Sequence, residues 1–174
     1  MNTANKLTLL RVIMIPVFML ALYLEFPFDD IIALVIFILA SVTDFIDGYV
    51  ARHFNQITDF GKFMDPLADK LLVISAMLWF VEAGKMSAWA VLIVLAREFA
   101  VSGLRMVAAP KGIVIAAAWS GKIKTAATMV CICVMLVPMP AVIYEICVAV
   151  IVLTTLWSGV EYFIKNRKVF AGAV

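Results

Sequence analysis

Apolar residues run along this chain in six long stretches, separated by short breaks of polar residues or prolines. A helix that crosses a bilayer needs roughly 20 mostly apolar residues, and each stretch has about that length. The pattern predicts helices over approximately 6–25, 31–52, 60–82, 86–108, 119–137 and 141–164. The breaks have chemical causes. Pro27 with Asp29 and Asp30 separates the first two helices, and His53 to Asp59 is a polar link between the second and third. Glu82-Ala83-Gly84-Lys85 is the next break. Pro110-Lys111-Gly112 follows the fourth helix, and Pro138-Met139-Pro140 makes a tight turn before the last.

Composition sharpens this picture. Of 174 residues, 66% are hydrophobic and 15% charged, and the mean hydropathy is +1.10. A soluble domain has about half apolar and about a quarter charged residues. The expected fold is therefore all-α: a polytopic membrane protein with six transmembrane helices, forming one domain over residues 1–174 and leaving no room for a separate soluble one. The apolar stretch from Leu7 to Leu24 is long enough to span, and no small-residue cleavage site follows it, so it is expected to be retained. Cys131, Cys133 and Cys147 lie in apolar runs and read as packing residues, without partners at ligand spacing. A net charge of +2 is too small to argue for nucleic acid.

The distribution of charge says more than its sum. One side of the expected bundle collects Lys6, Arg11, Arg52, Lys62, Lys111, Lys122, Lys124, Lys165, Arg167 and Lys168. The other has Lys85 alone, with Glu25, Asp29, Asp30, Glu82 and Glu145. The positive-inside rule puts both termini on the cytoplasmic side.

Between Asp44 and Asp69 acids interrupt the apolar pattern. Asp44 and Asp47 are three apart and share a helical face, which Gly48 and Arg52 continue. On the next helix Gly61, Asp65 and Asp69 fall at four-residue steps. Two antiparallel helices joined by a short link can aim all four carboxylates at one spot. Repulsion and desolvation would oppose their ionisation there, and divalent cations relieve both. Oxygen-only ligands suit Mg²⁺ or Mn²⁺, and two such ions can clamp a phosphoryl group. Gly48 and Gly61 let a nucleotide approach the backbone, and Arg52 can pair with phosphate. This constellation points to metal-assisted chemistry on a phosphate ester at the cytoplasmic membrane surface. Helix capping by one or two acids is common, but it does not account for four acids at this spacing.

The segment also resembles a known family. The pattern D-x-x-D-G-x-x-A-R, eight residues, G-x-x-x-D-x-x-x-D is the signature of the CDP-alcohol phosphatidyltransferases. It is matched here by Asp44, Asp47, Gly48, Ala51, Arg52, Gly61, Asp65 and Asp69. The resemblance implies metal ligation by Asp44, Asp47 and Asp65, with Asp69 completing the metal site and serving as general base. It implies contacts from Gly48, Arg52 and Gly61 to the CDP moiety. The family's N-terminal N-x-L-T-x-x-R segment is present as Asn5-Lys6-Leu7-Thr8-Leu9-Leu10-Arg11, placing Asn5 and Thr8 near the nucleotide; the usual preceding proline is Ala4. A homodimer is also implied.

Ionisable residues inside a membrane helix are costly and usually functional. Arg97 and Glu98 lie inside the fourth expected helix, and Arg105 near its cytoplasmic end. Being adjacent, Arg97 and Glu98 are expected on different faces, whereas Arg97 and Arg105 roughly share one. With Lys122 and Lys124, these arginines suggest a cationic pocket for an acceptor that already bears phosphate. Positive-inside anchoring is the plainer account, and it suffices for Lys111, Lys165, Arg167 and Lys168. The run Ala96-Arg97-Glu98-Phe99 to Ser102-Gly103-Leu104-Arg105, then Gly121-Lys122-Ile123-Lys124-Thr125, resembles the branch of the family that forms phosphatidylglycerophosphate. That resemblance implies CDP-diacylglycerol as donor and sn-glycerol 3-phosphate as acceptor. It also implies a multi-pass location in the cell inner membrane.

Inositol phosphate, serine or phosphatidylglycerol as acceptor would keep the chemistry. A divalent-cation transporter predicts acids near the bilayer midplane and a matching second acidic segment, which the chain lacks. Prenyl-diphosphate enzymes use aspartate-rich helices but lack the Gly48 and Ala51-Arg52 context. His53, Asp59 and Lys70 flank the motif without matching a required position.

Overall fold

The computed structural model describes the backbone of residues 3–24, 27–53, 59–111, 115 and 118–169. It describes their side chains except at 3–7, 44–53, 59–63, 65–66, 111 and 168. Among the described residues there are six α-helices and no strand: α1 (Thr3–Tyr23), α2 (Asp29–His53), α3 (Asp59–Glu82), α4 (Ala88–Ala108), α5 (Trp119–Leu136) and α6 (Ala141–Lys165). Short 3₁₀ turns follow α4 at Ala109–Lys111 and α6 at Arg167–Val169. Each helix begins and ends within three residues of its expected bounds.

The breaks work as their chemistry suggests. Gly84 takes φ +70 after α3, a left-handed conformation that glycine adopts without a Cβ clash. The Ser87 hydroxyl accepts from the Trp89 amide and caps α4. Pro140 precedes α6, where its missing N–H costs nothing. Asn166 ends α6, its side-chain amide donating to the Tyr162 carbonyl at 2.7 Å.

The chain groups into two compact units. One comprises Met1–Ala83 with Ile132–Met139, the other Gly84–Cys131 with Pro140–Val174. In the first unit α1 packs along both α2 and α3. Phe18 meets Phe37 with ring centroids 5.8 Å apart. The buried stripes Ala33, Phe37, Ala40 and Ala68, Leu72, Ala76, Phe80 follow helical spacing, and their alanines permit close approach of the backbones. The Tyr23 hydroxyl donates to Glu82, joining the C-terminal ends of α1 and α3, which therefore run parallel.

In the second unit α4 packs along α6. Lys85 lies over the Tyr144 ring at one end, and Arg105 reaches Tyr162 at the other, so these helices also run parallel. The buried line of α6 is Cys147, Ile151, Thr155, Ser158 and Tyr162. Between Glu145 and Lys165, which are exposed near its two ends, its exposed residues are apolar, among them Ile146, Leu153, Leu156, Trp157, Val160 and Ile164. Among the described residues two helices, α5 and α6, are long and apolar enough to cross a membrane by length and composition.

Candidate active site

The acid motif falls on regular helix. Asp44, Asp47, Gly48, Ala51 and Arg52 lie on α2, and Gly61, Asp65 and Asp69 on α3, so the expected three- and four-residue spacing operates on helical backbone. Asn5, Asp44, Asp47, Gly48, Arg52, Gly61 and Asp65 lie outside the residues whose side chains are described. Asp69 is described and is half-buried. Among the described residues no group of three acids, histidines or cysteines forms a metal cluster.

Beside these helices α1 contributes two buried polar residues. Thr8 is 2% exposed and Arg11 fully buried. Both fall on the stripe that continues through Ile15, Phe18 and Leu22. A buried guanidinium is several kcal/mol costly unless anions surround it. Stepping back equally along the parallel helices from the Tyr23–Glu82 contact brings Arg11 level with Lys70, next to Asp69. Stepping from the Phe18–Phe37 contact, with α1 and α2 antiparallel, brings it level with position 44. Arg11 thus stands at the height of the acid motif. Sequence reasoning counted it only as part of a terminal motif and as a topological charge. The available signal was a cation at a core position of an apolar stripe.

The second unit holds an ion cluster. Glu98 Oε1 accepts from Arg97 Nη1 at 3.0 Å and from Lys124 Nζ at 2.9 Å. The three side chains are 13%, 18% and 7% exposed in the order Arg97, Glu98, Lys124. Arg97 Nη2 donates to the Ser158 hydroxyl at 2.6 Å. Neighbouring positions on a helix were expected to diverge, but both side chains are long enough to turn toward one another. Sequence reasoning singled out Glu98 as a charge inside the fourth helix but gave it no role: it joins two of the four expected phosphate-binding cations.

Two glycines make room for Arg97. A Cβ at Gly121 would stand 3.6 Å from Nη2, and one at Gly159 3.3 Å from Cγ. Arg97 is held at both terminal nitrogens and cannot retreat easily. Gly159→Ala is therefore expected to lower stability by about 1 kcal/mol through overpacking. Gly103→Ala, with nothing within 4 Å of its added Cβ, is expected to be neutral or stabilising. Thermal unfolding of both variants in detergent checks the contrast.

The remaining two cations are placed differently. Arg105 is exposed; its Nε donates to the Tyr162 hydroxyl at 2.8 Å, and its guanidinium carbon lies 5.7 Å from the centre of the Tyr162 ring. Lys122 is exposed, with Nζ 5.0 Å from the centre of the Trp119 ring. An open cleft of about 570 Å³ lies at the opposite end of this unit. Its lining by Lys85, Met86, Val148, Ala149 and Val152 is mostly apolar, and it holds none of the expected site residues.

Residues 1–157 match the family model of the CDP-alcohol phosphatidyltransferases, and the chain belongs to that family. Curated relatives align along nearly the full length. A CDP-diacylglycerol–glycerol-3-phosphate 3-phosphatidyltransferase of Bacillus subtilis (strain 168) is 42% identical, covering 95% of each chain. Proteins of the same name from Salmonella typhimurium and Rickettsia bellii are 38% and 35% identical, covering 95% and 97% of both chains respectively.

Proposed function

We propose that this chain is an integral membrane enzyme that transfers the phosphatidyl group of CDP-diacylglycerol to sn-glycerol 3-phosphate, giving phosphatidylglycerophosphate and CMP. Arg105 is the observation that carries the acceptor. It is an exposed guanidinium tied at Nε, and among the described residues its terminal nitrogens have no protein partner. That arrangement suits two-pronged recognition of phosphate, and the names of the aligned relatives support the same acceptor.

The chain is read as six transmembrane helices in the cell inner membrane, with both termini and the active site facing the cytoplasm, and as a homodimer. The support for the membrane reading is an arrangement opposite to that of a soluble protein. On α1, and on α6 between Glu145 and Lys165, the outward described residues are apolar, such as Leu9, Ile13, Val17, Leu153 and Val160, while Thr8, Arg11, Thr155 and Ser158 are buried. Lipid accepts the first set as water would not.

The donor set of the acid motif consists of carboxylates alone, which fits a hard divalent cation. Asp44, Asp47, Asp65 and Asp69 would hold two Mg²⁺ ions, or Mn²⁺ through the same oxygens. When bound, such ions neutralise phosphoryl charge and stabilise a departing phosphate oxygen. Asn5, Thr8, Gly48, Arg52 and Gly61 receive the CDP moiety, with Arg52 on the pyrophosphate. Arg105 and Lys122 bind the acceptor's phosphate directly. Arg97 and Lys124, with Glu98 between them, supply a net positive charge behind them. Asp69 takes the proton of the acceptor's primary hydroxyl. That oxygen forms a bond to the lipid-side phosphorus as the bond from phosphorus to the CMP oxygen breaks. No side chain forms a covalent intermediate.

The test is CMP release by the purified protein with CDP-diacylglycerol and Mg²⁺, offering each acceptor in turn. Release with glycerol 3-phosphate alone, abolished by EDTA and restored by added Mg²⁺, is expected. Release with inositol phosphate, serine or phosphatidylglycerol instead would overturn the acceptor. Silence from folded protein with every acceptor would overturn the enzyme.

A further inference from the structure

We infer that Tyr162 is a specificity-determining positioning residue, which acts by aiming Arg105 at the acceptor's phosphate. The inference rests on the acceptor role proposed for Arg105. Tyr162 is 2% exposed and lies in a small core with Val101, Leu104, Ala108 and Val169, with Ile115 packed against it. A ring held by so many neighbours is a fixed post. Its hydroxyl accepts from Arg105 Nε, and the guanidinium carbon lies over the ring. Arginine otherwise loses considerable rotamer freedom when it binds a ligand. Holding Nε removes much of that loss beforehand and leaves the two-pronged end to grip phosphate.

On α6, Ser158, Gly159 and Tyr162 all stand against the α4 arginines. Tyr162 makes no contact of its own with substrate in this scheme, so its loss is felt only through Arg105.

Steady-state CMP release by Tyr162→Phe, Arg105→Ala and the double variant tests this. Tyr162→Phe keeps the ring and its packing and removes only the hydroxyl. Its KM for glycerol 3-phosphate is expected to rise about 5- to 10-fold, with kcat and the KM for CDP-diacylglycerol changed less than about 2-fold. Arg105→Ala is expected to raise the acceptor KM by more than about 30-fold. In the Arg105→Ala background, Tyr162→Phe should add nothing, because the two residues act as one unit. An unaffected Tyr162→Phe beside an impaired Arg105→Ala overturns the role of Tyr162 and leaves the acceptor reading intact. Independent, multiplying effects mean that Tyr162 only stabilises the fold and overturn it too. An Arg105→Ala variant with normal acceptor KM removes the acceptor reading, and the positioning role falls with it.

Discussion

Replacing Asp69 by asparagine is expected to lower kcat by at least about 100-fold, the range typical of a removed general base, while CDP-diacylglycerol binding is largely retained. Asparagine is nearly isosteric with aspartate and retains a carbonyl oxygen, so α3 keeps its shape. What it cannot do is take a proton from the acceptor's hydroxyl. The effect should appear in single-turnover CMP formation, measured at saturating donor and acceptor. Direct titration of the variant with a CDP-lipid reports binding separately. Near-normal turnover in Asp69→Asn removes Asp69 as the base. Lost binding with lost turnover instead assigns Asp69 to substrate and metal retention.

The second large effect concerns stability. Glu98→Leu leaves Arg97 and Lys124 facing one another in a mostly buried site without their shared anion. Removing one member of a buried ion pair costs on the order of 3 kcal/mol, roughly 6–12 °C in midpoint for a chain of this size. Cys131 and Cys147 are free and buried, so a thiol-reactive dye reports their exposure as the protein unfolds. Glu98→Leu with Lys124→Met should recover part of the loss, because the double change removes opposite charges together. A Glu98→Leu midpoint equal to wild type means that the cluster contributes nothing to the fold.

How much of this was legible beforehand depends on the distance over which each feature is encoded. Helix ends are local. Pro27, Gly84, Pro110 and Pro140 each impose a backbone constraint where they stand, and the observed helices begin and end close to them. The acid motif was legible for a similar reason, since spacing along a helix is itself geometry. The ion cluster was not. Glu98 meets Lys124 across 26 positions and Arg97 meets Ser158 across 61, and periodicity within one helix says nothing about such pairs. Tyr162 escaped notice because a tyrosine near the end of an apolar helix reads as an interfacial residue, and its burial depends on which helix lies against it. Arg11 lay between these cases: its stripe was visible, while the company it keeps was not.

The threading of Arg97 between Gly121 and Gly159 bears on how such a protein can diverge. Its surroundings come from three helices, so a substitution at position 97 alone leaves a hole flanked by glycines, and a side chain at Gly159 crowds the arginine with its Cβ 3.3 Å from Cγ, whereas a Cβ at Gly121 would meet Nη2 at an ordinary 3.6 Å. Steps at 97 and 159 are therefore coupled, and a lineage exploring new alcohols would change these positions on α4 and α6 nearly together. The same coupling should frustrate attempts to retarget the enzyme by editing its arginines one at a time, and it recommends libraries that vary 97 and 159 as one set.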